Sequence, residues 1–252
     1  MNITWDAQGY KERFSFVHEY GEGVMDLLTA KPGARVVDIG CGNGALTAKL
    51  EEKGYRVVGV DASPEMIALA RQMHPELTFL CEDALSLALP QPADAIFSNA
   101  VFHWIDADKQ DALAQSVARN LAPGGELVCE FGGHGCAERV HETLESCFKE
   151  RGLRYPRTFY FPTIGEYAPL LEAHGLRVEI ALLFDRPTPQ KSPDGLTDWI
   201  NMFCRKPFEG VDEAVKADIL REANERLRGE LCIDGVWYID YVRIRLRARK
   251  AA

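Results

Sequence analysis

Apolar positions along this chain change period repeatedly. From residue 35 onward, short runs rich in β-branched residues give way to longer stretches whose apolar positions recur every three or four residues, as in helices. Residues 35–39 read as a first strand and 45–53 as a helix with Leu46 and Leu50 on one face, ended by Gly54 as a C-cap. A second strand covers 56–61. Ser63 then caps a helix that starts at Pro64 and runs to about Met73, since proline lacks only an N–H that the first turn leaves unused. Further strands are predicted over 77–81, 93–99 and 125–131, with a helix over 108–121 and the turn signal Pro123-Gly124-Gly125 before the last. Strand and helix alternating in this way predict a doubly wound α/β fold around a mostly parallel sheet. Beyond it, 138–151 and 164–174 read as helices and 176–184 as a strand, after which Pro187, Pro189 and Pro193 break the regularity. Residues 194–232 are helix-prone and carry Trp199, Phe203 and Phe208, placed to cover a pocket mouth, and 237–250 is strongly strand-like.

The chemistry starts where the first strand meets a glycine loop, Asp38-Ile39-Gly40-Cys41-Gly42-Asn43-Gly44-Ala45. Glycines there allow positive φ and let a ligand approach the backbone, but the same spacing satisfies the dinucleotide fingerprint, so they do not choose the ligand. Charge does. Asp38, two residues before Gly40, is expected to face the crevice beyond the strand ends, repelling a pyrophosphate and attracting a cationic group. Asp61 ends the second strand, where an acid accepts from ribose hydroxyls. Asp83, followed by Ala84, closes the third, placed to accept from an adenine amino group while Ala62 or Met66 packs on the ring.

Asp38-x-Gly40-x-Gly42-x-Gly44, Asp61, Glu82-Asp83-Ala84 and the Leu121-Ala122-Pro123-Gly124-Gly125 turn, in that order, resemble the class I S-adenosylmethionine-dependent methyltransferases over residues 33–131. The resemblance implies a Rossmann-like seven-stranded sheet with its last strand antiparallel, S-adenosylmethionine as methyl donor, and S-adenosylhomocysteine as product. It places Gly40, Cys41, Gly42, Gly44, Asn99 and Ala100 on the methionyl end, and Phe102, His103 and Trp104 between donor and acceptor. Trp5-Asp6-x-x-x-Tyr10, the Phe97–Trp104 segment and the C-terminal cap are most similar to the trans-aconitate methyltransferase group, in which Tyr10 would close over the donor. That likeness implies a carboxylic acid acceptor, with Arg13, Arg154, Arg157, Arg186 or Arg205 as candidate partners for its carboxylates. His103 is either a general base, its ordinary pKa near 6.5 being suited to that task, or a packing residue beside Trp104. A carboxylate acceptor needs no base.

Composition narrows the field. The 252 residues fit one domain, 1–252, with a helical segment over 1–32 lying on the donor site and a helical cap over 186–236 inserted before the last strand. A net charge of −9 argues against phosphate-coating partners, so a small-molecule acceptor is expected, with no nucleic acid and no membrane partner. Seven cysteines without a C-x-x-C, and no apolar leader in residues 1–10, fit a reducing cytoplasm. His134, Cys136 and His141 match no standard zinc spacing, so no metal is expected. Arg243, Arg245, Arg247 and Arg249 fall on one face of the last strand and read as solvated or ion-paired. Two other functions share the glycine loop: an NAD(P)-dependent oxidoreductase, and a noncatalytic protein that senses S-adenosylmethionine or its product.

Overall fold

The computed structural model describes Gly21 and residues 23–252. Strands and helices alternate as β1 (Arg35–Ile39), α1 (Ala45–Glu52), β2 (Arg56–Asp61), α2 (Pro64–Met73), β3 (Thr78–Cys81), β4 (Ala93–Asn99), α3 (Gln110–Asn120) and β5 (Leu121–Gly132). There follow α4 (Glu138–Glu150), α5 (Ile164–Ala173), β6 (Leu176–Pro189), α6 (Gly195–Phe203), α7 (Glu213–Leu231), β7 (Cys232–Ile233) and β8 (Val236–Lys250). The main sheet runs β3-β2-β1-β4-β5-β8-β6, and the two-residue β7 pairs with the start of β8. β1 through β5 pair in parallel, while β8 is antiparallel to both of its neighbours, β5 and β6. Strand order reverses between β1 and β4, which opens a crevice at their carboxyl ends.

Period-two alternation divides the sheet faces. Val36 and Phe97 join Leu46 and Leu50 of α1 in one core, while Val37 and Ile96 pack with Leu113 and Val117 of α3 in the other. Ser63 caps α2 as expected, its hydroxyl accepting from Met66 N at 3.2 Å. Two boundaries lie well away from those read in the sequence. β5 begins at Leu121 because residues 122–125 bulge between the pairs Ala93↔Leu121 and Ala95↔Glu126, so the Pro-Gly-Gly signal is a bulge within the strand. β6 runs through Pro187 to Pro189, five residues past its predicted end, because it is the sheet edge and proline's missing N–H costs no ladder bond there.

The insertion before β8 therefore spans 190–235, not 186–236. Its helices do not pack alone: α6 and α7 share a core with α4, Trp104, Tyr155 and Trp237, including Phe148, Ile200, Phe208 and Leu227. Of the predicted N-terminal segment, only Gly21 and residues 23–32 are described, with Gly21 and 23–25 helical. Among the described residues, no helix is long and apolar enough to cross a membrane.

Candidate active site

The loop after β1 is built by backbone bonds that require positive φ. Gly40 N and Cys41 N both donate to Val60 O, at 2.7 and 3.1 Å. Gly40 has φ +75°, and a Cβ there would stand 2.2 Å from a methyl of Val101. Gly42 has φ +54°, with no atom of the described residues within 4 Å of where its Cβ would be. Gly44 caps α1 at φ +83°, pressed against Phe79. Cys41 is buried beside Gly59, and burial pushes its thiol pKa up, leaving it a small apolar group.

Asp61 secures this loop. Its Oδ2 accepts from Gly42 N at 3.0 Å and its Oδ1 from Ser63 N at 2.9 Å, so one carboxylate joins the glycine loop to the start of α2. Burial raises its pKa, against those backbone donors. Asp38 lies deeper, only 2% exposed, and accepts from Thr47 Oγ1 of α1 at 2.7 Å. Burial pushes its carboxyl up to about 7; the Thr47 bond opposes this and the Asp61 charge adds to it.

A crevice opens over these strand ends. Of the residues singled out from sequence, Gly40, Asp61, Ala62, Asp83 and Ala84 line it. Asp83 closes a turn by accepting from Leu85 N at 2.9 Å. Asp38 and Met66 do not reach the wall: Asp38 sits beneath the loop, and Met66 is buried on α2. The sequence reading missed Leu85, Val101, Ile105 and the Asp106–Lys109 pair, bonded at 2.8 Å. Nothing in the sequence separates that pair from ordinary helix-start charges. Among the described residues the wall carries four carboxylates, Asp61, Glu82, Asp83 and Asp106, against one lysine, a surface suited to hydroxyl and amine donors and hostile to a pyrophosphate.

At the end of β4 the chain turns sharply. Asn99 is partly buried at the strand end, and Ala100 takes φ +61°, a strained position for a residue with a side chain. The Ala100 N–H is committed to Glu130 O at 2.7 Å, so it is no donor to a ligand. Residues 102–104 then form a 3₁₀ turn that separates its side chains. Phe102 enters the core against Phe131, contrary to its predicted place beside the acceptor, because Gln110 pins its carbonyl inward at 2.9 Å. His103 and Trp104 turn the other way, into a second cavity. Ala100 lines this cavity and Val101 the first, so the two share a wall one peptide thick.

The second cavity is walled by rings: Trp104, Phe159, Phe161, Trp199, Phe203 and Tyr241. Trp199 and Phe203 thus serve the cavity as well as the cap core, while Phe208 is core alone. His103 Nδ1 accepts from Gly132 N–H at 3.1 Å, and burial, then the Arg243 charge, hold its pKa well below the usual range. The ring is therefore neutral with its proton on Nε2, a donor. Cys136 lines the same wall, and His141 stands behind it against Phe159 and Trp199.

Arg243 is the residue that sequence reasoning placed wrongly. Its stripe neighbours are ion-paired: Arg245 with Glu130, Arg247 with Glu179, and Arg249 with Glu126 and Glu179. Arg243 is 8% exposed, lies over the Tyr241 ring at 4.3 Å and points into the aromatic cavity, with no carboxylate partner among the described residues. Alternation put all four on one face but could not show that acids run out at its end. Among the described residues, none of the arginines proposed for carboxylates lines the cavity. Arg157 is held by Glu138 and Arg186 by Glu130, Arg154 and Arg205 are exposed, and Arg13, like Tyr10, lies outside the described residues.

Residues 36–125 match the family model described as a methyltransferase domain. Over 235 residues, covering 86% of each chain, the sequence is 38% identical to a trans-aconitate 2-methyltransferase of Methylobacterium nodulans. It is 29% identical over 258 residues, 98% of each chain, to an uncharacterized methyltransferase of Schizosaccharomyces pombe. The YcgJ protein of Bacillus subtilis has the same fold, with a TM-score of 0.63 at 18% identity, covering 93% of this chain and 99% of that one. Sheet order, glycine loop and acid-lined crevice agree with these matches, and the chain belongs to the class I S-adenosylmethionine-dependent methyltransferases.

Proposed function

We propose that this enzyme methylates a carboxylate of a small organic acid, and that Arg243 holds the acceptor. The observation that carries this reading is a buried guanidinium without an acid partner among the described residues, facing an aromatic cavity one peptide away from the donor crevice. A buried charge is stable only when compensated, so the site calls for an anion. The same cation argues against a protonated amine acceptor, despite the surrounding rings. The trans-aconitate 2-methyltransferase of Methylobacterium nodulans adds a carboxylic acid precedent by its name.

The residues fit the donor. Asp61 would accept from the ribose hydroxyls and Asp83 from the adenine amino group, while Ala62 and Ala84 flank the ring and the bare face of Gly42 admits the methionyl part. Asp38, beneath the loop, would act by its charge on the donor's cationic end. S-adenosylmethionine, when bound, supplies an electrophilic methyl group and departs as a neutral thioether. A carboxylate oxygen forms the new C–O bond with its own electron pair as the S–CH₃ bond breaks, so no proton moves and no base is needed. His103 Nε2–H and Arg243 orient the acceptor, and the cap excludes water.

Two variants test this. Arg243→Gln should lower kcat/KM for an acid acceptor by roughly 10- to 150-fold, the scale of a hydrogen bond to a charged group, with donor affinity unchanged by calorimetry. An unaltered kcat/KM for every acid accepted would sink the assignment of Arg243. Gly42→Val meets no atom of the described residues but strains the backbone at φ +54°, so it should fold with reduced stability yet lose donor binding. Retained affinity for S-adenosylhomocysteine would show that the space above Gly42 is not the donor site.

A further inference from the structure

We propose that the acceptor is a monocarboxylic acid with an apolar, ring-sized body, in contrast to trans-aconitate, which carries three carboxylates. The inference rests on the carboxylate reading above and goes further by counting what the cavity can satisfy. Among the described residues its wall offers one cation, Arg243, and one imidazole N–H, on His103. Together these satisfy one carboxylate. Of the other polar groups, the Trp199 indole N–H is spent on Tyr241 Oη at 2.6 Å, the Tyr241 O–H adds at most one neutral donor, and burial keeps the Cys136 thiol protonated, its pKa pushed up to about 11.

The rest of the wall is aromatic. Phe159 and Phe161 lie nearly parallel, 6° apart with centroids at 5.2 Å, and Trp104 meets Phe159 at 4.7 Å. Gly132 permits this closeness, since a Cβ there would stand 2.4 Å from the Phe161 ring. A second carboxylate placed among these rings would lose its hydration without gaining a donor, the most unfavourable form of polar burial. A hydrocarbon or aryl body instead gains by displacing water from the same surface. Arg186 and Arg157, two of the candidate anchors named from sequence, are held by Glu130 and Glu138.

The full-length protein, loaded with S-adenosylhomocysteine, should be titrated with 3-phenylpropanoate, trans-aconitate and 2-phenylethylamine. The readouts are calorimetry and the fluorescence of Trp104 and Trp199, which line the cavity, followed by ester analysis with S-adenosylmethionine. The expected result is that 3-phenylpropanoate quenches the tryptophans, binds roughly 10- to 100-fold tighter than trans-aconitate and yields a methyl ester. Arg243→Gln should weaken it to a similar degree; if that variant fails to fold, Arg243→Lys serves, retaining the charge but not the fork. Equal or tighter binding of trans-aconitate would overturn the monocarboxylate proposal and leave the carboxylate reading standing. Binding of the amine alone, or of none of the three, would overturn both.

Discussion

Replacing Glu130 by alanine is expected to destabilise the protein by about 3–5 kcal/mol, the cost of removing one partner from a buried ion pair. Glu130 is 2% exposed on β5 and compensates two guanidinium groups at once. Arg186 of β6 approaches it at 2.6 and 2.9 Å, and Arg245 of β8 at 2.7 and 2.6 Å. Both cations flank the Phe184 ring, at 5.1 and 5.4 Å, so they cannot swing apart without losing packing. Without the acid, two nearly buried like charges face each other across three strands. At roughly 2–4 °C per kcal/mol for a chain of this size, the melting temperature should fall by about 6–20 °C. The carboxylate lines neither cavity, so turnover per folded molecule should hold at low temperature. Thermal and urea unfolding check the first part; a loss under about 1 kcal/mol would mean that the triad behaves as a solvent-screened surface pair.

Asp38→Asn should have two opposite effects. In the folded protein burial lifts the Asp38 pKa from 3.8 to about 7, so folding costs more as the group ionises. The sign follows from proton binding: between these values the native state holds the proton and the unfolded chain releases it, so stability falls as pH rises from about 4 to 7. At pH 8 the asparagine variant, free of this penalty and still able to accept from Thr47, should be more stable by up to about 4 kcal/mol. Its stability should also lose that pH dependence. The same substitution should weaken S-adenosylmethionine binding, and the parent's affinity should rise between pH 6 and 8 as Asp38 ionises. Both effects together would mean that the buried charge is a cost in the empty protein that is recovered when the cationic donor binds. If the variant binds the donor as tightly as the parent at pH 8, Asp38 acts only as a brace for Thr47.

Much of the fold was legible because its causes are local. Period-two runs, Ser63 before Pro64, and the glycines at 40, 42 and 44 each state a backbone preference within a few residues, and the structure places those elements accordingly. The crevice acids Asp61 and Asp83 were legible for a related reason: in a doubly wound sheet, a residue ending a strand stands at the crevice whatever surrounds it. What failed was whatever depends on distant partners. Whether Phe102 faces core or cavity is decided by Gln110 and Phe131, and the length of β6 by its place at the sheet edge.

Arg243 shows the division most clearly. The sequence by itself determined the alternation of four arginines on one strand face, the glycine loop and the acids at three strand ends, because spacing along a strand dictates facing. Only the tertiary structure decided which arginine lacks an acid among the described residues. Glu126, Glu130 and Glu179 come from strands far apart in the chain and neutralise Arg245, Arg247 and Arg249, while the cap closes aromatic rings around the fourth. Charge compensation is a property of three-dimensional neighbours, and so is the chemistry left to an uncompensated charge.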